Sequence, residues 1–504
     1  MMASEPCVLA IDVGSTRCKA SLVTFDGRVR RQHVVDCASY FPEPEWVEQD
    51  ALELWQAVAQ ATASLADLES VRLLEIAAVV VTGQMHGVVG VNDGGEPTTR
   101  FVTLRDHRAA LEAGLLAGEI NDGEFWSITG SRLDATSAIA KLLWFHRNLP
   151  EKFAETSAFI PIKDFIRLRM TGILATDPID AAGMLLMDIH QGAWDPNLAR
   201  LAELPLSKLP PILRSYECAG TVTEPAAQAL RLRKGVPVVV GAGDDIEFLG
   251  LGLLDPGDAL EHLGTTGTIL SCVSEPPSDV GEGKLEVYPH VLSDRWLIGG
   301  STSNAGSALA WASKVLSTTI QPATFTPGQS MSGGPLVFLP YLTGERCPVW
   351  NPEARGMFFG LSIAHQKEDL AQSALEGVAF SLRHTLEALE RAGVEIRQLR
   401  IADSGHDSVK WRRLRASVYG RPLVPVETPD PTALGAVQLA SVALGAHDSL
   451  SDAVKSTVRQ GDEIDPDETW VPALGERYAL FVRLSESAQT LYGLLSESKS
   501  NRFS

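Results

Sequence analysis

Residues 9–23 read LAIDVGSTRCKASLV and residues 260–273 read LEHLGTTGTILSCV. Each is an apolar strand, a G-[ST]-T turn and a second apolar strand. One copy alone reads equally well as an ordinary hairpin in which Asp12 satisfies local N–H groups. A decorative hairpin, however, has little reason to recur about half a chain later, so the pair predicts two homologous halves. In each half the Gly turn offers backbone N–H groups and hydroxyls to phosphate oxygens. Gly14, Ser15 and Thr16 in the first copy, and Gly264, Thr265, Thr266 and Gly267 in the second, are therefore candidate contacts of a nucleotide held between the halves. Asp12, two residues before Gly14, is placed to orient Mg²⁺ or its waters.

The chain has 504 residues, more than one hydrophobic core normally spans. Hydrophobic residues make up 45% and charged residues 21%, and low-complexity tracts are absent, so both halves read as globular up to the polar tail ESKSNRFS. The formal charge is -20, from 43 basic and 63 acidic residues, and no basic run interleaves with aromatics. That balance argues against nucleic acid or an anionic membrane surface as partner. Six scattered cysteines without a CxxC pair read as free thiols. The N-terminus lacks a basic leader and no apolar run approaches a membrane span, so the expectation is a soluble cytoplasmic protein.

Strand and helix patterns alternate, which points to an α/β class. Asp50 and Glu53 fit a capping box before a helix over ALELWQAVAQATASL, with Leu52, Trp55, Val58 and Ala59 on one face. The buried strand IAAVVVTG leads to Gln84-Met85-His86-Gly87, and residues 136–149 read as a helix stopped by Pro150. The strand VPVVVGAGDD closes the first half, placing a boundary at residue 245, with domains 1–245 and 246–504.

In open α/β sheets the carboxyl ends of strands face the ligand crevice. Asp244 and Asp245 follow such a strand, where one carboxylate can take a proton from a hydroxyl attacking a γ-phosphate and the other can cap a helix. His86 has the same placement, either bonding a sugar hydroxyl or serving as a turn residue. Asp106 and Arg108 in TLRDHRA form a polar pair that also fits a plain surface loop. P-loop, GxGxxG, HExxH and GxSxG patterns are missing. Phosphoryl transfer or nucleotide hydrolysis on a duplicated actin-like fold remains.

The residues resemble the FGGY carbohydrate kinases, and within them the xylulokinases. The collinear stretches AIDVGSTRCKASLV, PEWVEQD, GQMHG, KLLWFHRN, PIKDFIRLRMTG, TDPIDAAGMLLMDI, VPVVVGAGDD, HLGTTG, FLPYLTGERCP, GMFFGL and TALGAV carry the resemblance. It implies two actin-like (ribonuclease H-like) ATPase domains with a central cleft, sugar in that cleft, and ATP held mainly by the C-terminal domain. It further implies Asp244 as general base, Asp12 on the Mg²⁺ side, and Met85, His86, Asp106, Arg108 and Asp245 on the sugar. ATP and a small sugar are the implied partners, D-xylulose the implied acceptor, and a homodimer an allowed assembly. The family's Gly-Gly-Gly-Ala adenosine loop is here Asp403-Ser404-Gly405-His406, with Ser408 beyond it, so Gly405, His406 and Ser408 are the candidate nucleotide contacts. Asp245 stands where xylulokinases commonly have Asn, and Leu104-Arg105 where they have Trp-Asn. Another pentulose, ribitol, erythritol or an L-sugar therefore stays open as acceptor, as does a non-catalytic nucleotide-dependent regulator.

Overall fold

The computed structural model describes residues 6–67, 76–277, 284–320, 331, 333–403 and 408–500, with side chains described only to residue 495. The chain divides into two compact units. The first comprises Met1–Leu254, Val287–Trp296 and Thr428–Val458, and the second Asp255–Glu286, Leu297–Glu427 and Arg459–Ser504. The expected cut at residue 245 is thus displaced to Leu254, and the first unit also recruits two later segments. The helix Ile246–Gly250 is the reason for the displacement. It crosses the helix Pro431–Ala443 through glycines, since a Cβ on Gly250 would overlap the Pro431 carbonyl and one on Gly435 would overlap that of Ile246.

The first unit is built on strands β1 (Cys7–Val13), β2 (Arg17–Thr24), β3 (Val29–Asp36), β4 (Ile76–Gly83), β5 (Cys218–Thr221) and β6 (Pro237–Val239), ordered β5-β6-β4-β1-β2-β3. β1 pairs antiparallel with β2 and parallel with β4, and β6 runs parallel to β4 and antiparallel to β5. β1, β4 and β6 are apolar on both faces, as strands covered by helices on either side must be.

The second unit's sheet includes β7 (Asp258–Leu263), β8 (Gly267–Val273), β9 (Trp296–Thr302), β10 (Gln398–Asp403), β11 (Val424–Glu427) and β12 (Arg459–Gln460), neighbours in the order β9-β8-β7-β10-β11-β12. β7 is antiparallel to β8 and parallel to β10, β11 is parallel to β10, and β12 closes the edge antiparallel. Five strands in each unit share one order, β3-β2-β1-β4-β6 against β9-β8-β7-β10-β11, and the two quoted hairpins are the first two strands of each; the antiparallel edge strand differs, preceding its neighbour in the chain in the first unit (β5 before β6) and following it in the second (β12 after β11). This is the duplicated actin-like α/β fold expected from the repeat.

Local readings met the structure unevenly. The helix Ala51–Asp67 begins where expected, and Asp50 Oδ1 accepts from Leu52 N (2.9 Å) and Glu53 N (3.2 Å). The box does not close, because the Glu53 carboxylate takes the Tyr40 hydroxyl instead. The buried stripe is Leu54, Val58, Ala61 and Leu65, while Leu52 is exposed. All six cysteines are free, and the C-terminal helix Val471–Ser500 runs into the expected polar tail.

Candidate active site

Both Gly turns are anchored through their carbonyls. In the first, Gly14 O accepts from Gln84 Nε2 (3.4 Å), Ser15 O from Gln49 Nε2 (2.9 Å) and Thr16 O from Cys37 N (2.8 Å). In a trans peptide the N–H opposes the preceding C=O, so anchoring these oxygens inward turns the Thr16 N–H the other way. In the second unit Gly264 O accepts from Gly306 N (3.0 Å), and Thr265 O from Ala305 N (3.2 Å) and Ser307 N (3.1 Å). Thr16 and Thr265 are exposed. Each turn is a rigid donor edge suited to phosphate.

A carboxylate cluster sits at the strand ends of the first unit. The hairpin register places Asp12 opposite Lys19, whose Nζ lies 3.6 Å from Asp12 and 3.0 Å from Asp430. Burial, against the pull of Lys19 and with the push of Asp430 and Glu247, raises the Asp12 carboxyl above the usual range. Asp244 N donates to Gly83 O (2.9 Å), tying the end of β6 to the end of β4. The Asp244 side chain keeps solvent access yet lies deep among protein atoms. Desolvation first, then Asp245, Asp12, Glu247 and Asp180, lift its carboxyl well above the ordinary value. Asp245 occupies the N-cap position of Ile246–Gly250 without a side-chain capping bond, so the capping alternative is not realised.

Among the described residues no three His, Cys, Asp or Glu side chains gather as a ready metal site. A divalent ion serving phosphates takes one or two carboxylates and completes its shell with phosphate and water. Asp12, in a neighbourhood where Asp244, Glu247 and Asp430 outnumber Lys19, has the donor chemistry for that role.

Beside the cluster, Met85 is buried and His86 adopts φ 61°, with His86 Nδ1 3.1 Å from Gly183 O. Gly243, next to Asp244, has no room for a side chain: a Cβ there would overlap Met85 Cγ and stand 3.2 Å from Asp180 Oδ1. Asp244, Met85, His86 and Asp180 thus converge. Asp106 and Arg108, the expected sugar contacts, are engaged in bracing contacts with their own loop and its neighbours. Asp106 is fully buried, accepting from Val47 N (2.5 Å) and from Arg108 Nε (2.8 Å) and Nη2 (2.7 Å). Arg108 also pairs with Glu48 (2.8 Å) and lies over the Trp46 ring at 3.9 Å. Both side chains brace the loop whose exposed tip is Leu104-Arg105.

Sequence reasoning missed Lys19, although a two-strand register drawn around the turn would have paired it with Asp12. It also missed Lys141 and Lys163. Lys141 is buried and donates to the carbonyls of Thr136 (2.6 Å), Thr103 (2.8 Å) and His86 (3.3 Å). Burial pushes its ammonium down to about 7 against the pull of Asp106 and Asp134. Lys141→Met removes this donor from the three carbonyls, of which Thr103 O keeps Asp106 N (3.2 Å), and is expected to cost about 1–3 kcal/mol in all. It should raise the sugar KM at least several-fold, with little change in the ATP KM. Equal changes in both constants would refute a role at the His86 loop.

Beneath the Asp244 loop lies a buried ion cluster. Lys163 Nζ approaches Asp164 (2.5 Å), Asp177 (3.1 Å) and Asp180 (3.3 Å), and Arg167 pairs with Asp164 (2.7 Å). Three carboxyls face two cations. Burial raises Asp177, and Asp180 further, against the pull of Lys163.

In the second unit the Asp403 substitution has a structural reason. Its carboxylate is folded onto Arg415 Nη2 (2.7 Å) and Arg412 Nε (3.1 Å), and Arg415 also pairs with buried Glu261. The side chain replacing the family's glycine is thereby held inside. Ser408 caps the helix Val409–Tyr419, accepting from Trp411 N at 3.1 Å. Ser404, Gly405 and His406 lie outside the described residues.

The family models "FGGY family of carbohydrate kinases, N-terminal domain" and its C-terminal counterpart match residues 7–249 and 261–444. A xylulose kinase of Escherichia coli (strain K12) is 31% identical over 488 residues, covering 96% of this chain and 98% of the relative. A gluconokinase of Bacillus subtilis (strain 168) is 28% identical over 517 residues, covering 97% and 98%. The solved xylulose kinase of Rhodospirillum rubrum superposes with a TM-score of 0.88 at 28% identity, covering 97% of this chain and all of that one. With a matched domain pair and a duplicated actin-like sheet, the chain belongs to the FGGY family of carbohydrate kinases and is a sugar kinase.

Proposed function

We propose that the chain transfers the γ-phosphoryl group of ATP to D-xylulose, giving D-xylulose 5-phosphate. The observation that carries this reading is the convergence of Asp12, Asp244, Met85 and His86 at the strand ends of one sheet. Asp244 accepts the acceptor hydroxyl's proton as its oxygen bonds to the γ-phosphorus and the bond to ADP breaks; the proton then leaves to solvent. Met85 and His86 orient the sugar. The Thr16 N–H group steadies charge on the phosphates. Mg²⁺, when bound, would neutralise charge on the phosphate oxygens, and Asp12 would help to hold it. No described helix is long and apolar enough to cross a membrane.

A second reading, transfer to another pentulose, a polyol or an aldonate, is favoured by Asp245 and by the exposed Leu104-Arg105 tip. The gluconokinase relative adds to it. Release of ADP across a panel of pentuloses, pentitols, tetritols and gluconate discriminates. D-xylulose is expected to lead in kcat/KM by at least about tenfold, which corresponds to about 1.4 kcal/mol of transition-state preference. A different leader reassigns the acceptor, and ADP release no faster than with water alone overturns the kinase reading. Asp245→Asn should shift the acceptor ranking; an unaltered panel would show that Asp245 is no selector.

A further inference from the structure

The first unit carries a concavity of about 240 Å³, apart from the carboxylate cluster, walled by residues 187 and 189–192, 212–214 and 216, and 289–293, 295 and 296. Arg214, Arg295, His190, Gln191, Tyr216 and Trp296 line it, and no Asp or Glu does among the described residues. In a chain with 63 acidic against 43 basic residues, a hollow of that lining is a marked local reversal of charge.

The two guanidinium groups have only weak competitors. Arg214 reaches Glu217 at 4.0 Å with both side chains exposed, and Arg295 Nη1 holds Asp294 (2.6 Å), which is largely in solvent. Such pairs contribute little in water, and buried Arg295 Nε has no partner among the described residues. His290 is committed to structure, with Nε2 3.1 Å from Leu253 O and Nδ1 accepting from Leu292 N (3.1 Å). Trp296 Nε1 donates to Ile189 O (3.0 Å), fixing the indole as a wall.

We propose that this concavity binds a small phosphate monoester and that its occupancy tunes the acceptor site. Guanidinium groups suit phosphate oxygens, while Trp296 and Tyr216 offer ring surface to a short carbon skeleton. The coupling runs through hydrogen bonds from the 212–216 segment. Leu213 N donates to Thr176 O (2.9 Å), Ser215 Oγ to Asp177 Oδ2 (3.4 Å), and Ser215 O accepts from Gly241 N (3.0 Å). Asp177 belongs to the Lys163 cluster, and Gly241 begins the loop that carries Asp244.

Calorimetric titration of glycerol 3-phosphate into the full chain, saturated with ADP and acceptor sugar, tests the site, with glycerol as the uncharged control. Expected are one site for glycerol 3-phosphate and none for glycerol. Binding should weaken at least about tenfold in Arg214→Ala and in Arg295→Ala and persist in Asp244→Asn. Arg214 is exposed, so its variant should keep the wild-type Tm and basal activity. Absence of binding, or undiminished affinity in Arg214→Ala, overturns the proposal. Glycerol 3-phosphate should also shift the sugar KM of the wild type but not of Arg214→Ala; an unchanged wild-type KM at saturation overturns the coupling. The titration repeated with ADP alone needs no turnover, so its outcome is separable from the identity of the sugar.

Discussion

Asp244→Asn is expected to lower kcat for sugar phosphorylation by about two to four orders of magnitude, the range for loss of a positioned base or key electrostatic group. Nucleotide binding should survive, because the two Gly turns are anchored by Gln49, Gln84, Cys37, Ala305, Gly306 and Ser307 rather than by Asp244. Full activity in the variant would remove Asp244 from the chemistry. The wild-type pH profile carries the same signature. Desolvation and neighbouring carboxylates hold the Asp244 carboxyl well above its ordinary value, so its base form is lost as pH falls through that raised value. The acid limb of kcat/KM should therefore lie above the ~3.9 of an unperturbed aspartate. Asp180→Asn removes one of the raising charges and should move that limb toward lower pH. A limb that stays in place would show that Asp180 does not act on Asp244.

Lys163→Met should produce the largest loss of stability, about 3–5 kcal/mol, as expected when one partner of a buried ion cluster is removed. Burial disfavours the ammonium, but Asp164, Asp177 and Asp180 outweigh that and hold it above its usual value. Without it only Arg167 opposes three carboxyls. The pH dependence follows in sign. Asp177 and Asp180 bind protons more tightly folded than unfolded. Stability therefore falls as pH rises from the unfolded carboxylate range through their raised folded values. The variant raises them further, so its deficit should shrink on acidification. Urea midpoints measured across pH check this, and a deficit independent of pH would assign the loss to packing instead.

Much of the site was legible because it rests on local pattern. The hairpins with Gly14 and Gly264 announced both turns, and strand ends marked Asp12, His86 and Asp244. The bracing contacts of Asp106 and Arg108 were not legible because polarity and position in a loop say nothing about burial; only packing shows that Trp46 and Glu48 take up Arg108. The cap that Ser408 makes was not foreseen for a similar reason, since its hydroxyl accepts from a helix that begins just after it.

By itself, then, the sequence determined the duplication, the α/β class and the carboxylate at each critical strand end, because strand periodicity and a Gly turn are written in consecutive residues. Tertiary structure alone decided which distant charges meet. Asp430 reaches Lys19 because the Pro431–Ala443 helix returns to the first sheet. Lys141 reaches His86 because a helix packs behind that loop. Three carboxyls and two cations share one interior, and Asp403 folds onto Arg415. Long-range electrostatics and desolvation depend on separation in space, which the order of residues does not state.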